Sequence, residues 1–197
     1  MAEVDAPSRH RRKGSRRDPA IDEAVLATTR ELLVTRGYAA TTIDLVATTA
    51  GVSRPAIYRR WASKAQLVHE AAFPDLGSEP AEDDLAAEIV RLCRGAIRMY
   101  RDPVVREAIP GVLVDLRADP RMRRLLGDRL ESAARKDLAR RVNDAVAGGT
   151  ARAIDANALM DVIAGGAWYA VCVRRVKNAD GAARDLAELI LRGVLAS

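Results

Sequence analysis

Aromatic residues are scarce here: they make up 4% of 197 residues, and Phe73 is the single phenylalanine. A core must then be built mainly from Leu, Val, Ile and Ala, which suits helix packing. Histidine is as rare, with only His10 and His69. Neither has a second ligand or a nucleophile at useful spacing, and no Gly-rich phosphate loop is visible. A helical enzyme is therefore a remote alternative, no cofactor or metal is expected, and His69 reads as a surface or interdomain residue. The two cysteines, Cys93 and Cys172, lie far apart in apolar patterns without a CxxC spacing. Buried free thiols in a reducing compartment are the expectation. No apolar run approaches the ~20 residues that span a bilayer. The N-terminus is polar and basic with no apolar segment behind it, unlike a signal peptide. No membrane partner is expected, and the cytoplasm is the expected location.

What is present is an ordinary globular composition, 49% hydrophobic, with its charge unevenly placed. Residues 1–66 carry 12 Lys/Arg against 7 Asp/Glu, whereas 67–197 carry 20 of each, so the whole surplus of +5 lies in the N-terminal third. Such asymmetry points to an anionic polymer or surface meeting that end. Residues 1–17 lack an apolar period and end in a basic run from Arg9 to Arg17; they read as a disordered arm.

Periodic structure begins at Asp18-Pro19, a capping residue followed by proline at the first helical position. Ile21, Val25, Thr28 and Leu32 share one helical face, and Arg36-Gly37 closes it. Thr41-Thr42-Ile43-Asp44 reads as a capping box opening a short helix, which Gly51 breaks. Ser53 caps a third short helix with Pro55 in its first turn, running to about Trp61. Ser63-Lys64-Ala65-Gln66 is a second capping box. After a Pro-, Gly- and acid-rich stretch from Pro74 to Asp83, the pattern stays helical. Residues 104–117, interrupted by Pro110-Gly111, are read as two short helices rather than a strand. A long helix comes next on Met122, Leu126, Leu130, Leu138 and Val142, stopped by Gly148-Gly149. Two more helices occupy about 155–177 and 180–195. The fold class expected is all-α, with an N-terminal helix-turn-helix domain over 18–66 and a helical domain over 67–197.

Two short helices joined by a glycine turn hold a fixed angle only if the crossing residues are small or apolar. Ala47, Gly51 and Ile57 have the required spacing. The third helix, Arg54 to Trp61, is short, positive and led by its N-terminus, the end a recognition helix presents to a major groove. Arg54 can reach guanine O6 and N7 with two parallel donors, worth ~1–3 kcal/mol of base discrimination. Ala56 offers a methyl to thymine methyls, and Arg59 can serve bases or phosphates. Thr42 and Lys64 sit at helix N-termini, where backbone N–H groups favour a phosphate oxygen. Trp61 is read as a core residue, Arg60 as solvated or phosphate-facing, and the basic arm as tracking the minor groove or backbone.

The stretch Thr42-Ile43-Asp44-Leu45-Val46-Ala47, then Gly51-Val52-Ser53-Arg54-Pro55-Ala56-Ile57-Tyr58-Arg59-Arg60-Trp61-Ala62-Ser63-Lys64, resembles the DNA-binding signature of the tetracycline-repressor (TetR) family. The likeness is close over about residues 18–70. It implies a transcription regulator, read as a repressor of a palindromic operator in double-stranded DNA. Its contact residues would be Thr42, Ser53, Arg54, Pro55, Ala56, Tyr58, Arg59 and Lys64. It also implies a homodimer through the helices near 155–177 and 180–195, released by a small-molecule effector. Half-sites would then lie about one turn, ~34–36 Å, apart. Met99, Tyr100, Leu113, Met122, Leu126 and Trp168 are candidate pocket walls. Few charges share these stripes, which favours an uncharged or hydrophobic effector. Gly165-Gly166 permit close helix approach, while Trp168 and Tyr169 belong either to the subunit contact or to the monomer core. The alternative within DNA binding is a constitutive helix-turn-helix protein with no effector.

Overall fold

The computed structural model describes residues 18–73, 82–120, 124 and 132–196. The basic arm, the stretch 74–81, and Met122 and Leu126 lie outside these residues. Helix α1 (Pro19–Ala40) starts where Asp18 Oδ1 accepts from the Ala20 N–H at 3.0 Å, with proline in its first turn. Gly37 adopts φ +74° inside it. The expected glycine break is therefore present, but one more turn, residues 38–40, lies beyond it.

Helices α2 (Ile43–Thr49), α3 (Arg54–Tyr58) and α4 (Lys64–Ala72) are short and individually capped. The first cap differs from the expected box. Thr42 is the capping residue, accepting from the Leu45 N–H at 3.1 Å, while the buried Thr41 hydroxyl donates to the Gly37 carbonyl at 2.8 Å. At the second, Ser63 Oγ accepts from the Gln66 N–H and Gln66 Oε1 accepts from the Ala62 N–H.

Among the described residues the C-terminal region adds α5 (Leu85–Arg101), α6 (Pro103–Ala118), α7 (Ser132–Ala147), α8 (Ala156–Trp168) and α9 (Ala179–Val194). A π turn, Tyr169–Val173, extends α8. The fold is all-α; among the described residues extended pairing is limited to a single bridge, Ala151 with Leu195. The two short helices expected over 104–117 are one helix. Asp102 ends α5 and caps α6, accepting from the Val104 N–H at 2.7 Å, and Pro110 is accommodated inside. Burial of Val105, Ala108 and Val112 on a single face keeps α6 continuous through the proline.

Apolar packing divides into connected regions. Val25, Leu32, Ile43, Val46, Ala47, Ile57, Trp61 and Leu67 form the core of the N-terminal head. Leu33, Val68 and Ala72 instead join Val105, Ala108 and Val112 on α6. Consecutive residues of α4, Leu67 and Val68, thus serve two different cores, so α4 ties the head to the C-terminal helices. Ile89, Cys93, Leu138, Leu159, Ile163 and Ile190 lie in the main C-terminal core. Burial pushes the Cys93 thiol up to about 11, that of an inert packed residue.

Candidate nucleic-acid interface

Helix α3 is only five residues long and is held from below. Ile57 is fully buried, Ala47 is buried where α2 approaches, and Gly51 makes the turn at φ +67°. Ser53 Oγ accepts from the Ala56 N–H at 3.3 Å, and Pro55 needs no donor partner in the first turn. This leaves Ser53, Arg54, Pro55, Tyr58 and Arg59 exposed, with Thr42 exposed at the start of α2. Tyr58 leaves 48% of its surface in solvent, which identifies a ring with no place in the core. Thr48 and Thr49 of α2 are exposed as well, two positions that carried no sequence signal of their own.

Arg54 Nε meets Asp44 Oδ1 at 2.6 Å, and the two side chains remain 58% and 62% exposed. So open an ion pair stabilises by ~0–1 kcal/mol, and a nucleic-acid acceptor can displace Asp44 at small cost. Arg60 is a different case. It pairs with Asp22 of α1 in a largely buried contact and donates through Nη1 to the Ala56 carbonyl at 3.0 Å. Arg60 therefore fastens α3 to α1 and is neither a solvated nor a phosphate-facing residue.

Two expectations change on this geometry. Ala56 is only 8% exposed, beneath the turn that Arg60 crosses, so its methyl is not offered to a base. Lys64 does open α4, but its ammonium is turned inward. Nζ donates to the Tyr38 carbonyl at 2.5 Å and lies 3.9 Å from the centre of the Tyr38 ring. Trp61 is buried as expected, its Nε1–H donating to Glu70 Oε2 at 3.0 Å.

Tyr38 proves to be the centre of a junction between three helices. Its hydroxyl donates to Asp115 Oδ2 on α6 at 2.5 Å. Burial, the hydrogen bond to Asp115 and that carboxylate's charge together raise the phenol's pKa, keeping it protonated. Gly111 lies against the ring so closely that a Cβ there would come within 2.0 Å of Cδ1. Lys64 has its pKa lowered by burial, an effect opposed by the charge of Asp115. One aromatic side chain at the end of α1 therefore touches the start of α4 and the middle of α6. His69, also on α4, is buried and stacks on Phe73 at 4.7 Å between ring centres, and burial depresses its pKa to about 4. Among the described residues no group of three potential ligands could hold a metal ion.

Of the candidate pocket walls, Met99 and Tyr100 are partly buried against the α1–α4–α6 core. Leu113 is 56% exposed and Trp168 37% exposed, so neither lines an interior. For Leu113 the reason is helical phase: the neighbouring Val112 takes the buried position. Trp168 is likewise adjacent to the buried Ala167.

Residues 25–71 match the family model described as bacterial regulatory proteins, tetR family. Residues 79–190, more than half of the chain, match the tetracyclin repressor-like C-terminal domain. The chain belongs to the TetR family. It is a transcription regulator with a DNA-binding helix-turn-helix. The HTH-type transcriptional regulator YdeS of Bacillus subtilis is 26% identical over 94% of this chain and 96% of its own length. Among solved structures, a transcriptional regulator from Saccharomonospora viridis in complex with choline superposes at TM-score 0.64, with 18% identity over 91% of this chain and all of that one. NalD of Pseudomonas aeruginosa, the secondary repressor of the MexAB-OprM multidrug efflux pump, gives 0.61 and 21% identity over 91% of this chain and 98% of its own. These distant likenesses speak to the fold.

In this TetR-family chain a second face stands out. Val162, Tyr169 and Val173 are each about half exposed, Trp168 somewhat less, and Leu189 is 71% exposed. Val162, Gly165, Tyr169 and Val173 recur at three- and four-residue spacing and so share one side of α8 and its π turn. Gly165 on α8 and Gly193 on α9 have open space where a Cβ would stand. Gly166, by contrast, meets Leu186 of α9 closely. The glycine pair thus splits its role between one contact inside the subunit and one bare outer position. The stretch Ala156–Val173 is long and apolar enough to cross a membrane by length and composition, and only 28% of it is buried. That exceeds what the sequence suggested, and it is an apolar flank on a helix of a DNA-binding regulator.

Proposed function

We propose that the chain is a homodimeric repressor that binds a palindromic operator in double-stranded DNA and is released by a small-molecule effector. The observation that carries this reading is the exposed set Arg54, Tyr58 and Arg59 on a rigidly capped α3, held outside the head core. Thr42, Ser53 and Pro55 flank it, and Lys64 acts through Tyr38 and the placement of α4. Arg54 supplies the two parallel donors that fit a guanine edge, and Tyr58 and Arg59 reach the backbone or a neighbouring base.

A single short helix covers too few base pairs for specificity, and the apolar outer stripe of α8 and α9 supplies the dimerisation surface. The division of labour is a head over 18–66, an effector and dimerisation region over 67–197, and the basic arm 1–17 adding salt-sensitive affinity. Met99 and Tyr100 pack against the core that α6 shares with α1 and α4. An effector wedged there shifts α6 and, through Tyr38 and Lys64, the setting of the heads. Such a regulator works beside the chromosome, in the cytoplasm.

Selection of bound sequences from random duplex DNA tests the reading. A two-fold symmetric consensus is expected, in which Arg54→Ala relaxes one symmetric base pair. Recovery of a site without two-fold symmetry, or of none, would overturn it.

A further inference from the structure

Between α5 and α9 a trough runs along the surface. Two depressions of about 540 and 460 Å³ share Val90, Arg94 and Leu191 and so form one channel. Its floor is apolar: Val90 from α5, Ala187 and Leu191 from α9, and Leu195 beyond α9. Its rim is mainly cationic, with Arg91, Arg94 and Arg98 contributed by α5, Arg184 and Arg192 by α9, and Glu82 and Glu188 beside them.

The arginines differ in how their charge is used. Arg91 is held by Glu88 through two contacts at 2.7 and 2.8 Å, and Arg192 is paired with Glu188. Arg94 and Arg184 line the same depression, and among the described residues neither has an ion-pair or hydrogen-bond partner. Two guanidiniums without a protein counter-charge therefore line one depression with an apolar floor. Guanidinium forks match carboxylate and phosphate oxygens in pairs, which a lysine rim would not do as well. The volume lies in the range of small-ligand sites, and the trough is open to solvent along its length.

We propose that this trough binds a small amphiphilic anion, its carboxylate or phosphate head held by Arg94 and Arg184 and its apolar body laid over Val90, Leu191 and Leu195. The site is separate from the Met99–Tyr100 region and independent of the operator reading, because its readout is ligand binding rather than DNA. The floor argues against duplex DNA as occupant, since a polyanion has no use for buried apolar contact.

Calorimetric titration of the full chain with decanoate and with decyl phosphate, both below micelle formation, tests this. Saturable binding is expected, weakened at least about tenfold in Arg94→Glu/Arg184→Glu and to an intermediate degree in Arg94→Lys/Arg184→Lys, which keeps the charge but loses the paired donors. The head group that binds more tightly distinguishes a carboxylate source from a phosphate monoester. Both arginines are exposed, so the folded state should survive, and a circular-dichroism melt checks that. Absence of binding by either anion, or equal binding by the charge-reversed variant, would overturn the proposal. So would conversion of a dimer to monomer by that variant, which assigns the trough to the subunit contact.

Discussion

The head and the C-terminal region treat their surfaces in opposite ways. The head buries nearly all its large apolar side chains and exposes cations, hydroxyls and one tyrosine. The C-terminal region leaves Leu189, Val162, Tyr169 and Val173 in solvent while its charges balance. A cationic, hydroxyl-rich face meets a hydrated polyanion without needing apolar complementarity. An apolar stripe with bare glycines needs another apolar stripe, and the cheapest source is a second copy with the same one. On the function proposed above, the contrast separates the surface that reads from the surface that assembles.

The largest expected effect comes from breaking the second surface while leaving the first intact. Val162→Glu/Leu189→Glu changes exposed positions only, so the subunit should remain folded. Sedimentation should then show a monomer, and operator affinity should fall toward non-specific binding, about a thousandfold or more. A variant that stays dimeric would move the assembly face elsewhere.

Next in size is an acid sensitivity that belongs to the junction side of the molecule. His69 has its pKa depressed from 6.5 to about 4 by burial. Between those values the unfolded chain takes up a proton that the folded chain refuses, so stability falls as pH drops through that window. The full difference is at most about 3 kcal/mol. Thermal melts from pH 7.5 to 4.5 should show it, and His69→Leu should flatten the slope. An unchanged slope would assign the sensitivity to other groups.

Arg54→Ala acts on the reading surface alone. The best operator should bind about ten- to a hundredfold more weakly, with discrimination lost at one symmetric base pair. The unfolding midpoint should barely move, because the Asp44 pair is solvent-exposed. If the base preference survives, Arg54 remains with Asp44 in the complex.

The range of an interaction decides whether it is legible in the sequence. The caps at Asp18, Ser53 and Ser63, the Gly51 turn, the buried Ala47 and Ile57, and the all-α class are set by neighbours within a few residues, and the sequence shows them directly. The continuity of α6 is hidden because Pro110-Gly111 locally argues for a break, while the compensation comes from a core built by α1 and α4. Pocket walls are legible only in part: stripes at helical spacing predict burial but not which residue of an apolar run, Val112 or Leu113, takes it. Arg60 with Asp22 and Tyr38 with Asp115 span 38 and 77 residues. Nothing local marks such pairs.

The smallest effect is the most informative about how the two regions speak to each other. If Lys64 serves DNA directly, replacing it weakens every sequence alike whether or not Tyr38 is intact. If it serves through Tyr38, the two changes cannot be independent, because the carboxylate that holds the Tyr38 hydroxyl also acts on the Lys64 ammonium. Tyr38→Phe keeps the ring and loses only the hydroxyl that Asp115 accepts from, costing about 1 kcal/mol of stability. Lys64→Met keeps the stem but removes the charge that Asp115 also feels. A double-mutant cycle measured on operator affinity should give a coupling of about 0.5–1 kcal/mol. Additivity in that cycle would return Lys64 to the phosphate backbone, and Tyr38 would be left a packing residue between α1 and α6.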